Sequence, residues 1–343
     1  MDNAKVTILM SVKDGCSFFD EALKSIQQQT MEKWELLLVD DGSKCGSLQR
    51  ARDFAAEEPR ACLIENETTI GLAASLNRVA EMARAPFLAR MDADDISLPH
   101  RLEKQLQHFA TDPELGLLGS NIERINRHGR YTPWRARVSN MPLTHTEIHA
   151  QMLFRNPMYH PTIMVRRAAL DQAAGLQFKY DDTFDTTQDY ELWARLIQKV
   201  KFANIAEPLV QYRKHAGSIT TKSADRQYAN GLRVQRYYSQ YLLGDLAWDE
   251  REMQILRAFS RGRRENNRLR HDYHELCQTI LRFERQCAEQ VDPENAQAIT
   301  DFVMRRVVYY CLFKLYQPRV IKLLLTLIGT RLPDVVRSFL QRA

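Results

Sequence analysis

Across the first 125 residues, apolar runs of strand length recur at 5–12, 34–39, 61–64, 86–91 and 115–119. Between them lie segments such as FFDEALKSIQQQ (18–29) and LAASLNRVAEMA (72–83), with apolar residues three and four apart, the spacing of one helix face. This strand–helix alternation constrains the fold more than any other feature. It predicts an α/β domain built on a mostly parallel sheet covered by helices on both faces. Sheets of that kind bind ligands at the carboxyl ends of their strands. Two acidic turns fall there, VDDGS (39–43) and MDADD (91–95).

The pattern loosens over 126–165, where Gly129, Pro133, Pro142, Pro157 and Pro161 act as breakers. TTQDYELWARLIQKV (186–200) then reads as a helix with Leu192, Trp193, Leu196, Ile197 and Val200 on its apolar face. FANIAEPLVQYRKH (202–215) reads as one or two short strands running into a loop. After about residue 222 glycine becomes sparse and Arg, Leu, Glu and Gln recur at helical period, which divides the chain into a domain at 1–224 and an all-helical region at 225–343. Pro293, Pro318 and Pro333 mark expected helix boundaries.

With 44% hydrophobic and 27% charged residues, the 343-residue chain is expected to fold, not to remain disordered. Its net charge of +5 suits an anionic small molecule or membrane surface and demands no nucleic acid. The six cysteines form no C-x-x-C pair, so neither a zinc site nor a disulfide framework is indicated, and a reducing, cytoplasmic setting is expected. The apolar stretch after MDNAK is too short for a signal-peptide core. The longest apolar run, VIKLLLTLIG (320–329), is about half a membrane span and is interrupted by Lys322.

The chemistry concentrates in short acidic motifs. On an extended segment Asp92 and Asp94 share one side, where one could meet a ribose hydroxyl and the other a hard divalent cation bridging a diphosphate. The same acids also fit a helix N-terminus, with Asp95 as the cap before ISLPHRLEKQL. Asp40 or Asp41 could accept hydrogen bonds from a nucleobase or ribose, or could belong to an ordinary strand–turn–helix junction. In QDYELW, Asp189 and Glu191 lie two apart on a helix and do not share a face, so only one can serve a given substrate, as a general base or as a cap. His215 at the end of YRKH could be a third metal ligand or a structural histidine. His160 in HPT could touch substrate, or Pro161 could simply begin a strand.

In this order, SIQQQTMEKWELLLVDDGS, GLAASLN, ARMDADDISLPHRLEKQ, HPTIMVRR, QDYELWARL and YRKHAGSIT resemble the family 2 glycosyltransferases, inverting enzymes of the GT-A fold. The resemblance runs from about residue 5 to about 221. It implies that Ser11, Asp40, Asp41 and Asp92 hold the nucleotide, and that Asp94 and His215 hold Mn2+ or Mg2+. Asp189 is the implied general base, Arg213 adds charge beside the leaving group, and Arg90, His160 and Glu191 are donor or acceptor contacts. The implied donor is a nucleotide diphosphate sugar, with uridine the family's habitual base. The implied acceptor is a hydroxyl of a glycan or lipid-linked sugar in lipopolysaccharide, capsule or exopolysaccharide assembly, with a hexosyl or N-acetylhexosaminyl group transferred. Two stretches depart from the family pattern. The first turn reads MSVKDG instead of a P-x-Y-N type, so Lys13 or Asp14 meets the nucleotide differently, and KCGS replaces the acid that often follows DDGS.

Beyond residue 225 only physical reading remains. Arg257, Arg261, Arg263, Arg264, Arg268 and Arg270 form a basic cluster, and 319–343 joins apolar residues to Arg319, Lys322, Arg331, Arg337 and Arg342. Such a tail could lie on the anionic inner face of the plasma membrane, pack as a solvated helix, or form a homo-oligomer interface. Nucleic-acid binding has no supporting motif. Two rivals remain. A sugar-1-phosphate nucleotidyltransferase would need a Gly-rich basic loop that MSVKDGCSFF does not supply. A non-catalytic glycan-assembly scaffold would be expected to have lost Asp94, Asp189 or His215, and all three are present.

Overall fold

A computed structural model of the chain describes residues 3–15, 17–132, 138–173, 177–217, 223–244, 248–261, 279, 282, 285–287 and 289–312. The chain divides into two compact units, Met1–Thr144 with Met158–Asn230, and His145–Pro157 with Gly231–Ala343.

The first unit is built on one sheet. In chain order its elements are β1 (Val6–Val12), α1 (Phe19–Gln27), β2 (Trp34–Asp40), α2 (Ser47–Glu57), β3 (Ala61–Glu65), α3 (Leu72–Met82), β4 (Phe87–Asp92), β5 (Ile96–Ser97), α4 (Arg101–Thr111) and β6 (Leu115–Asn126). The second unit contributes α5 (His145–Met152), and the first resumes with a 3-10 turn at His160–Thr162, β7 (Met164–Arg166), α6 (Arg167–Gln172), α7 (Gln188–Leu196) and β8 (Lys201–Lys214). The strand order is β3-β2-β1-β4-β7-β6-β8-β5. β5 and β7 run against the others, so the sheet is mainly parallel, as the alternation predicts, and mixed through these two strands.

Every residue of β2 is buried, so it shows no in–out alternation; a strand covered on both faces has no polar side to display. α1 buries Phe19, Ala22, Leu23 and Ile26 against this sheet and keeps Asp20 and Glu21 in its first turn, where acids complement the helix dipole. The stretch read as one or two short strands is the single 14-residue strand β8. Its pairing with β6 shifts register near Pro208, which has no amide to donate. The breaker-rich stretch contains the helix α5. Cys45 is disulfide-bonded, although the cysteine spacing indicates no disulfide framework and a reducing setting is expected, while Cys62 and Cys287 are free.

After β8 come α8 (Ala224–Leu243), α9 (Glu250–Arg261) and α10 (Pro293–Leu312), in line with an all-helical region beyond about 225. Within the second unit Phe154 stacks on Phe302 with ring centroids 5.0 Å apart, and Thr146 Oγ1 donates to Glu294 at 3.0 Å. The tail expected to meet a membrane, 319–343, lies outside the described residues, as do Arg263, Arg264, Arg268 and Arg270 of the basic cluster. No helix among the described residues is long and apolar enough to cross a membrane.

Candidate functional site

Parallel register assembles the site. Ser11 stands beside Asp92 on one flank and Val39 on the other, and Val12 stands beside Asp40. The ends of β1, β2 and β4 therefore bring Ser11, Asp40 and Asp92 to one edge of the sheet.

At the end of β2 the two aspartates divide their work. Asp41 accepts hydrogen bonds from Asn66 Nδ2 at 2.9 Å and from the amides of Ile70 at 2.8 Å and Gly71 at 3.0 Å. Burial pushes its carboxyl up, but the Ile70 amide, Asn66 and the Gly71 amide outweigh that and hold it below the usual carboxylate range. Asp41 is thus occupied by the protein itself. Asp40 accepts the Ser43 amide through Oδ2 at 2.9 Å, and its buried Oδ1 has no protein partner. Gly42 makes the turn at φ 68°; a Cβ there would come within 2.9 Å of the Thr69 amide nitrogen. Asp14, also at positive φ, accepts the Lys44 amide at 2.7 Å and locks the loop after β1 to the loop after β2.

At the end of β4, Asp92, Asp94 and Asp95 bring one carboxylate oxygen each within 4.8 Å of one another. Desolvation raises Asp95 well above the usual range, and the charges of Asp94 and Asp92 add to it; Asp92 is raised chiefly by desolvation as well. Asp95 does not cap a helix. It accepts the Arg213 amide at 2.7 Å, its Oδ2 is buried without a partner, and α4 begins after His100 with no side-chain cap. Three buried arginines back the cluster. Arg90 reaches Asp92 and the Met91 carbonyl, Arg101 donates to the Arg90 carbonyl at 2.7 Å, and Arg213 donates to the Asp94 carbonyl at 2.9 Å. Burial and the neighbouring Arg90 push Arg101 down to about 9. His215 Nε2 lies 2.8 Å from Asp94 Oδ2. A crowded set of hard oxygen donors, including an orphaned buried one, fits Mg2+ or Mn2+.

Asp189 sits half-buried in the first turn of α7, preceded by Thr187 in the left-handed region at φ 64°. Burial pushes the Tyr180 phenol up, and the charges of Asp189 and Asp92 both reach it. Its hydroxyl lies 2.8 Å from His160 Nε2, and burial together with Arg90 holds His160 well below its usual value, hence neutral. Asn77 grips the Tyr180 backbone from both sides, accepting its amide at 2.7 Å and donating to its carbonyl at 2.9 Å. Glu191, by contrast, pairs with Arg195 at 2.5 Å. It lines a cleft of about 520 Å3 with Lys179, Asp182 and Arg195, where Arg195 also donates to the Lys179 carbonyl.

Of the residues expected from sequence, the structure thus groups Ser11, Asp40, Asp92, Asp94, His215, Arg90 and Arg213 around one edge, while His160 bonds to Tyr180 and Asp189 stands half-buried in the first turn of α7. Asp41 is turned inward, and Glu191 pairs with Arg195 in the cleft that Tyr180 also lines. The sequence reading missed Asp95 as a member of the cluster, although DADD holds it in plain view, and missed Arg101 and Tyr180, which carry no local signal.

A model of the family described as glycosyl transferase family 2 matches residues 7–173. The amylovoran biosynthesis glycosyltransferase AmsE of Erwinia amylovora is 30% identical over 214 residues, which cover 62% of this chain and 76% of that protein. The O-antigen biosynthesis glycosyltransferase WbnJ of Escherichia coli is 29% identical over 226 residues, 65% of this chain and 84% of that one. Among solved structures, S. aureus TarS 1–349 in complex with UDP aligns over 88% of this chain and 90% of its own, with a TM-score of 0.56 at 15% identity, a likeness of fold.

Proposed function

The chain belongs to glycosyl transferase family 2, and from that premise we propose that it is a metal-dependent, inverting transferase. It moves a hexosyl or N-acetylhexosaminyl group from a nucleotide diphosphate donor, a UDP-sugar by family habit, to a hydroxyl of a glycan or lipid-linked acceptor in surface-polysaccharide synthesis. The observation that carries the reading is the acid turn. Three carboxylates lie within 4.8 Å of one another, backed by buried arginines, at the strand edge that also bears Ser11 and the unpartnered Asp40 oxygen.

Asp40 and Ser11 hold base and ribose, and Asp92 takes the ribose or shares the cation. Asp94, with Asp95 and His215, would hold Mn2+ or Mg2+. A bound divalent cation there supplies neutralisation of the charge that builds on the departing diphosphate. Arg213 and Arg90 set a positive potential beneath the turn. Asp189 takes the proton from the acceptor hydroxyl as its oxygen attacks the anomeric carbon from the face opposite the leaving group. One such displacement inverts the configuration and requires no covalent enzyme intermediate. Residues 1–224 form the catalytic part under this reading. The part after residue 224 serves contact with the cytoplasmic face of the plasma membrane through the basic, apolar sequence of 319–343, or contact with a second copy of the chain.

Calorimetric titration with UDP and UDP-sugars, with and without Mn2+, tests the donor and metal. Metal-dependent binding that disappears in Asp94→Ala is expected; no nucleotide binding with metal present would favour a scaffold. Asp189→Asn should keep donor binding while transfer falls about 10²–10⁴-fold. Retained transfer would remove Asp189 as the base.

A further inference from the structure

The start of α1 has no part in the chemistry above, yet Phe18 and Glu21 make three contacts with Arg213 and His215, which in turn bond to the acids. Arg213 Nη2 donates to Glu21 Oε2 at 2.6 Å. The Arg213 guanidinium lies over the Phe18 ring, 4.6 Å from its centroid. The same ring meets the His215 imidazole at 4.9 Å and a 55° tilt. Arg213 and His215 then turn to the acids: the Arg213 amide to Asp95, its Nε to the Asp94 carbonyl, and His215 Nε2 to Asp94 Oδ2. The Gly217 amide donates to His215 Nδ1 at 3.2 Å, which orients the ring with Nε2 towards Asp94.

These contacts form a clamp with two arms. The outer arm is Phe18 and Glu21, delivered by a helix whose Phe19, Ala22, Leu23 and Ile26 are fastened in the core. The inner arm is the end of β8. Between them the Arg213 side chain is only 1% exposed, whereas Glu21 is 56% exposed. A guanidinium so enclosed needs both a carboxylate and a ring face to replace lost water. Three mutually repelling carboxylates have no reason to stay within one coordination sphere unless their backbone and side-chain anchors are held.

Resting on the metal-dependent reading above, we propose that Phe18 and Glu21 are positioning residues. They act through Arg213 and His215 to hold Asp94 and Asp95 at the spacing a hard divalent cation needs. Neither touches the cation or the substrate. Their effect is preorganisation, so removing them should weaken cation affinity while leaving the fold in place.

The test is calorimetric titration of the full-length protein with Mn2+ alone, alongside its metal-free melting temperature. Phe18→Leu and Glu21→Gln are expected to weaken Mn2+ binding about tenfold, ~1.4 kcal/mol, with the metal-free melting temperature close to that of the wild type. Phe18→Tyr, which restores a ring beneath Arg213, should bind Mn2+ as the wild type does. Since Glu21 is exposed on a surface turn, Glu21→Gln keeps the test available if Phe18→Leu fails to fold. Unchanged Mn2+ affinity in a folded Glu21→Gln or Phe18→Leu protein would overturn the clamp alone. A wild-type protein that takes no Mn2+ would overturn the metal-dependent reading and the clamp with it.

Discussion

The turns ending β2 and β4 carry similar acids at the same edge of the sheet and differ in what surrounds them. Asp41 receives two backbone amides and an asparagine side chain, and its carboxyl is held low. Asp95 receives one amide, keeps one buried oxygen without a partner, and is raised by burial and by two neighbouring acids. Adjacent aspartates in a sequence are therefore equivalent only until the backbone decides how many N–H groups point at each. One turn is electrostatically complete, whereas the other keeps three crowded carboxylates and a buried oxygen that no protein donor reaches.

The largest effect that would break this contrast is in the complete turn. Asp41→Ala removes the acceptor from two amides and one side-chain amide, and should cost about 3 kcal/mol of stability, read by denaturant unfolding. If stability holds, Asp41 is not the structural member of its pair. In the incomplete turn the sign reverses. Asp95→Asn mimics the protonated carboxyl that burial favours, so the metal-free protein should gain ~1 kcal/mol while its stabilisation by Mn2+ shrinks.

The pH dependence sharpens the comparison. Asp41 is lowered in the folded state, so its contribution is fully present above its unfolded value of 3.8 and is lost as pH falls through the lower folded value. Asp95 is raised, so at neutral pH it imposes a penalty that fades as pH falls through the raised value. The stability gap between wild type and Asp95→Asn, measured without metal, should therefore narrow on acidification before the Asp41 contribution fails. A gap constant with pH would mean that the Asp95 charge is not the cause. The smallest effect serves as a control near the same edge. Arg52 pairs with Glu65 at 2.7 Å in an ion pair that is half exposed, and Arg52→Ala should leave the melting temperature unchanged.

Much of the first unit was legible without coordinates because hydrophobic period is a local property. β1 to β4 begin and end within one residue of their apolar runs, β6 starts with its run but continues seven residues beyond 119, β5 matches no run, and both acidic turns fall at strand ends. The order of motifs from VDDGS to YRKH was enough to identify the family. Lone residues were harder. Asp95 reads as a helix cap until β8 presents the Arg213 amide to it, and Asp40 and Asp41 cannot be told apart until α3 and the residues before it supply donors to one of them.

What the sequence alone determined is therefore the sheet, its direction and the chemistry placed at its edge, since these follow from periodicity and residue type along a continuous stretch. What only the tertiary structure decided is the division of labour among the acids and the clamp from Phe18 and Glu21 to Asp94. Those depend on groups as far apart in the chain as Glu21 and Arg213. A carboxylate's energy is set by the donors and charges within a few ångströms of it, and no local pattern records which distant segments will supply them.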